Sequence, residues 1–148
     1  MPTIFVKDDL RASVEAASGG NTTVMYTEAG HPSIMCRVPK FNLEDIDPAL
    51  GNGLHPAFIV NGREVNELWI GQNPGIVKDG NLLSIPGVSA TLMNFDDARQ
   101  YAANNGPGWH LMTAAEMAAI APWCEKNGTM PRGNDYYGRS NECPWETC

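Results

Sequence analysis

Two dipeptides, Asn61-Gly62 and Asp79-Gly80, constrain this chain more than any other feature. Asn-Gly and Asp-Gly take up the consecutive positive φ angles of a tight two-residue hairpin, whose twist matches that of the strands it joins. Ala57-Phe-Ile-Val60 and Val65 to Ile70 flank the first, and Gly75-Ile-Val-Lys78 and Asn81 to Ile85 flank the second, so two hairpins are predicted. Thr22 to Tyr26 and Ser33 to Val38 are also β-rich, and Glu28-Ala-Gly-His-Pro32 between them has turn chemistry, which predicts a third. With 15 Gly and 11 Pro the chain turns too often for a helical bundle.

Helical periodicity appears in three places. From Asp8 to Ala17 the residues Leu10, Val14 and Ala17 share one side, and Gly19-Gly20 supplies a left-handed stop. The stripe suits docking on the chain's own domain or on a neighbouring subunit. Residues 1–20 therefore read as a helical docking segment and residues 21–148 as the main domain. A second helix starts at Asn94 as N-cap, carries Phe95, Ala98, Tyr101 and Ala102 on one side, and ends near Asn104. Trp109-His110-Leu111 reads as a short strand. Thr113-Ala-Ala-Glu116 is a capping box opening a third helix, with Met117, Ile120, Ala121 and Cys124 as its apolar face and Gly128 as its C-terminal cap. Pro122 removes one helical hydrogen bond and clashes with the preceding turn, which predicts a bend or an early end between Ala118 and Ala121. The segment from Asn127 to Cys148 has almost no aliphatic residues and is expected to be irregular and exposed.

At 148 residues with 43% apolar content the chain suits one domain with a real core. A net charge of −7 with scattered Lys and Arg argues against nucleic acid as a partner. Apolar runs are only a few residues long, and Asp8 and Asp9 stand where an export signal needs its apolar stretch, so neither membrane insertion nor Sec-type export is expected. Cysteines form no Cys-x-x-Cys pair and His31, His55 and His110 are isolated, so no metal and no cofactor is expected. Glu44, Asp45 and Asp47 invite a calcium reading, but Ala49 and Leu50 occupy positions where an EF-hand loop needs a ligand and a glycine, which leaves a solvated turn before Pro48. Asp96 and Asp97 sit where negative charge complements a helix dipole. No nucleophile stands with a base and an orienting group, so an enzyme is not expected.

The block Gly106-Pro-Gly-Trp-His-Leu-Met-Thr-Ala-Ala-Glu116, followed by Ala121-Pro-Trp-Cys-Glu-Lys-Asn-Gly-Thr-Met-Pro-Arg-Gly-Asn134, resembles phage and prophage virion surface proteins with a formylglycine-generating-enzyme-like, C-type lectin-like domain. The likeness extends through Pro39 to Asp47, His55 to Gly62 and Leu68 to Gly71, and covers roughly Ser13 to Asn141. It implies an α+β fold with antiparallel hairpins, two packed helices and long binding loops. Relatives of this type continue well past the position of Asn141, so the distal half of the fold is expected to be missing. Met117 and Pro122 also depart from the usual helix residues. The redox cysteines of the enzymes lie in that distal half, and no catalytic residue carries over. The implied role is a tail-fibre, receptor-binding, collar or decoration component of a virion, assembled in the bacterial cytoplasm.

Candidate contact residues follow from chemistry. Arg132, Asn134, Asp135, Tyr136, Tyr137 and Arg139 set rigid aromatic anchors among small, adaptable polar groups, the composition of a recognition loop; its Gly and Pro can also simply set a complicated backbone path. Trp145 has no aliphatic company nearby and suits an intermolecular contact, whereas Trp109 and Trp123 suit core packing. Cys143 and Cys148 can close a small loop or reach another chain, and Cys36 and Cys124 are either further disulfide candidates or buried thiols. The expected partners are other virion proteins, further copies of this chain, and a host surface glycan or protein. The competing readings are a degenerate oxidoreductase using Cys143 and Cys148 with a metal such as copper, and a carbohydrate-binding module.

Overall fold

The computed structural model of the protein describes residues 2–130, 132, 140–143 and 145, with residues 2–8 described as backbone. In chain order the elements are α1 (Pro2–Ser18), β1 (Thr22–Tyr26), β2 (Pro32–Pro39), α2 (Leu43–Ile46), β3 (Ile59–Val60), β4 (Arg63–Glu64), β5 (Glu67–Gly71), β6 (Gly75–Lys78), β7 (Asn81–Ser84), α3 (Phe95–Asn104) and α4 (Ala114–Lys126). The architecture is α+β with small antiparallel sheets: β1-β2-β5, β3-β4 and β6-β7. None of the described helices is long and apolar enough to cross a membrane.

The chain forms two compact units, each drawn from two stretches of sequence. Residues 1–40 and 58–113 make the first, which holds all three sheets. In it β1 and β2 pair as the sequence predicts, and their register sets Thr22 opposite Cys36 and Val24 opposite Ile34. Asp79 and Gly80 have φ of 50° and 74°, the positive angles their hairpin requires, and β6 pairs with β7 across them. Asn61 and Gly62 also turn as expected, at φ 51° and 75°, but join only the two-residue strands β3 and β4. Residues Glu67–Gly71, expected to extend that hairpin, instead form β5 on the free side of β2, with Val38 opposite Leu68. Pairing there buries Leu68 with Val38, which a longer solvent-facing ribbon would leave wet. Val24, Met35, Val38, Phe58, Leu68, Ile76, Leu83 and Ala102 form the buried apolar set of this unit.

Helix α1 packs on β1, and of the predicted apolar stripe only Val14 is half-buried. Arg11 Nε donates to Val24 O at 3.3 Å, Ser18 Oγ donates to Thr22 O at 3.1 Å, and Thr23 Oγ1 donates to Glu15 Oε1 at 2.7 Å. Arg11, Glu15 and Ser18 recur at helical spacing, so this polar face meets the outer edge of the sheet while Leu10 and Ala17 are exposed. An edge strand presents unpaired carbonyls, and donors from the helix satisfy them where aliphatic side chains would not. Gly19 and Gly20 then end the helix at positive φ, and Gly20 N–H closes back on Glu15 O.

Helix α3 is capped as predicted, with Asp97 N–H donating to Asn94 Oδ1 at 2.8 Å. Its expected inner face is only partly used: Ala102 is buried, whereas Phe95 is 69% exposed. Trp109-His110-Leu111 forms no strand; the segment is irregular backbone before α4.

Residues 41–57 and 114–148 make the second unit. Asn42 and Asp45 form a reciprocal capping box on α2, Asp47 caps the following 3-10 turn by accepting from Ala49 N–H, and Glu44 Oε2 accepts from Gly53 N–H at 2.8 Å. Helix α4 runs through Pro122 to Lys126, so the expected early end does not occur. The proline costs one bond, and the turn behind it is held by several others: Thr129 N–H reaches Cys124 O, while Asn127 donates to Trp123 O through both its backbone and its side chain. Trp109 and Trp123, expected in the core, are half-buried.

Candidate binding recess

A recess with several polar groups in its lining lies within the first unit. It is a recess of about 170 Å³ lined by residues of β2, β6, β7 and α3, by Gly71 at the end of β5 and Asn73 just after it, and by Trp109 to Met112. Its apolar wall is Met35, Leu82, Leu83, Trp109, Leu111 and Met112, and its polar wall is Ser33, Asn73, Ser84, Asn105 and His110. No carboxylate, ammonium or guanidinium is among these lining side chains.

A hydrogen-bond network built from short polar residues fixes the polar wall. Ser84 N–H donates to Ser33 Oγ at 2.9 Å, which ties β7 to β2, and Ser84 Oγ in turn accepts from Asn73 N–H at 2.8 Å. Asn105, 1% exposed, stands just past the end of α3. Its Oδ1 accepts from Leu82 N–H at 3.0 Å and its Nδ2 donates to Leu82 O at 2.5 Å. One amide thus imitates a neighbouring strand along β7 and closes its open edge. Asn104 Nδ2 adds a bond to Gly80 O at 2.9 Å, so the two asparagines clamp the hairpin to the end of the helix.

Asn73 Nδ2 is buried and has no partner, one of two such side-chain atoms among the described residues, the other being Asn81 Oδ1. A buried donor without an acceptor costs about 1–3 kcal/mol, so Asn73 carries a local cost in this unit. Sequence patterns gave no sign of Asn73 or Asn105, because one asparagine among many turn residues carries no signal until its surroundings are known. Trp109 to Met112, in contrast, belong to the block that carries the family likeness.

The residues expected to make contacts are placed unevenly. Trp145 is 76% exposed. Arg132 is also exposed, and its Nη1 donates to Cys143 Sγ. Asn134, Asp135, Tyr136, Tyr137, Arg139 and Cys148 lie outside the described residues. Cys36, Cys124 and Cys143 are free thiols, and Cys143 is only 2% exposed. Ser140 Oγ accepts from the N–H groups of Glu142 and Cys143, holding the turn that buries that thiol. Among the described residues no three His, Cys, Asp or Glu side chains gather as a metal group. His55 is buried, where its Nδ1 accepts from Ala57 N–H and its ring lies 5.4 Å from that of Phe41. His31 meets Asp79 at 3.4 Å.

Compared with protein-family models and with curated proteins, the chain matches none.

Proposed function

We propose that this chain is a non-enzymatic binding component of a tailed-phage particle, a fibre, receptor-binding, collar or decoration subunit. Its fold in this reading is C-type lectin-like and formylglycine-generating-enzyme-like. The observation that carries the proposal is the position of the family-like block: Trp109, His110, Leu111 and Met112 line an uncharged recess whose polar wall includes Ser33, Ser84 and Asn105. A surface built to bind sets aromatic or apolar anchors beside a few polar groups, and this wall provides both. Trp145, exposed near the turn that buries Ser140 and Cys143, supplies a further anchor for a neighbouring copy or another virion protein.

Peptide mass spectrometry of purified particles, with copy number set against the major capsid protein, tests the assignment. Stoichiometric recovery of this chain supports it. Its absence from particles, with the protein abundant in the infected-cell lysate, overturns it.

A further inference from the structure

We propose that the Asn61-Gly62 turn is a site of spontaneous self-modification, at which Asn61 loses its amide nitrogen, ages to isoaspartate and aspartate, and in the isoaspartate form opens the β3–β4 hairpin. The chain holds four Asn-Gly steps, at Asn52, Asn61, Asn105 and Asn127, and by sequence alone all four invite this reaction. In each the glycine nitrogen is the nucleophile and the asparagine carboxamide carbon is its target, and a glycine has no side chain to crowd the attack. The nitrogen must be free to lose its proton. Folding ties it up at three of the four steps. Gly53 N–H donates to Glu44 Oε2 at 2.8 Å. Gly106 N–H donates to Ala103 O at 3.2 Å, and the buried Asn105 amide is bound on both sides to Leu82. Gly128 N–H donates to Glu125 O at 3.1 Å, while Asn127 Nδ2 donates to Trp123 O at 2.7 Å. Asn61 and Gly62 are both exposed, and among the described residues neither the Gly62 N–H nor the Asn61 side chain has a hydrogen-bond partner.

Gly62 N forms a bond to Asn61 Cγ, the Cγ–Nδ2 bond breaks, and the proton from Gly62 N leaves with Nδ2 as ammonia, which gives a cyclic succinimide. A water molecule then breaks one of the two bonds to Gly62 N. Rupture at Cγ restores the ordinary backbone as aspartate, and rupture at the Asn61 carbonyl carbon leaves the chain running through Cβ and Cγ as isoaspartate. Either product adds one negative charge to a chain already at −7. Ring closure requires the turn to leave its hairpin geometry, and little holds it there: β3 and β4 have two residues each, all of them exposed. Isoaspartate lengthens the backbone of the turn by one carbon, which breaks the match between the turn and the pairing of Val60 with Arg63. Asp79-Gly80 reaches the same succinimide only by expelling water from a carboxyl group, and an ionised carboxylate, here facing His31 at 3.4 Å, is a poorer target than an amide.

Peptide mapping by mass spectrometry of the full chain, aged in neutral and in mildly alkaline buffer, tests the idea, with a parallel sample held in urea. A hydrogen bond that must break first slows attack by up to about tenfold, so folded protein is expected to deamidate at Asn61 about tenfold faster than at Asn52, Asn105 or Asn127. The rate should climb with pH, because the attacking nitrogen must lose its proton, and isoaspartate should appear beside aspartate at position 61. In urea the four steps should react at similar rates, since only the fold sets them apart. Amide exchange in the isoaspartate form should speed up at Val60 and Arg63 while Val38 and Leu68 stay protected. Deamidation at any of the other three steps as fast as at Asn61 in the folded protein, aspartate without isoaspartate at position 61, or unchanged exchange at Val60 and Arg63 overturns the proposal. The same preference for Asn61 persisting in urea would assign it to local sequence and overturn the role given to the fold.

Discussion

Asn105→Ala should be among the most damaging single substitutions in the first unit. The wild-type amide satisfies both the N–H and the C=O of Leu82 while being 1% exposed, so truncation orphans two backbone groups at once. At about 1–3 kcal/mol for each partner left without a bond, and with Leu82 itself half-buried, the expected loss is about 2–4 kcal/mol. That is a large part of the roughly 5–15 kcal/mol that holds a domain folded. With a urea slope of about 2 kcal/mol/M the midpoint falls by about 1–2 M. Asn105→Asp is the informative companion: it retains the acceptor for Leu82 N–H but sets a carboxylate oxygen against Leu82 O, and should be at least as destabilising as alanine. Equilibrium unfolding with amide exchange read at Leu82 separates a local from a global effect. A midpoint within about 0.2 M of wild type for the alanine variant, or an aspartate variant as stable as wild type, would refute the strand-mimic account of this side chain.

Two further substitutions test the local rules that shape the fold. Pro122→Ala restores a donor to Ala118 O inside α4 and should raise the thermal midpoint, with a gain of up to about 3 kcal/mol if the helix does not have to shift; an unchanged or lowered midpoint would show that the proline already fits its turn without cost. Gly80→Ala places a side chain at φ 74° in the β6–β7 turn and should cost about 1–2 kcal/mol by chemical denaturation, whereas Asp79→Gly, at φ 50°, should cost little beyond the contact with His31.

Local chemistry accounts for much of what the sequence determined alone. Turn dipeptides at Asn61-Gly62 and Asp79-Gly80, the Asn94 cap and the Gly19-Gly20 stop act within a few residues, and each appears where its own backbone preference puts it. Partner choice was a different matter. Residues Glu67–Gly71 have the same β character whether they extend the Asn61-Gly62 hairpin or join β2, and only the burial of Leu68 beside Val38 decides between them. Helix α1 shows the same limit: its periodicity is right, but the sheet edge it covers offers carbonyls, so Arg11 and Ser18 donate to that edge while Leu10 is left outside. Pro122 likewise did not stop α4, whose last turn is closed by bonds to Trp123 O and Cys124 O from residues beyond the helix. The recess depended most on tertiary structure. Its walls come from residues between Ser33 and Met112, and the unmet donor of Asn73 exists only because folding removes that amide from water without giving it a partner.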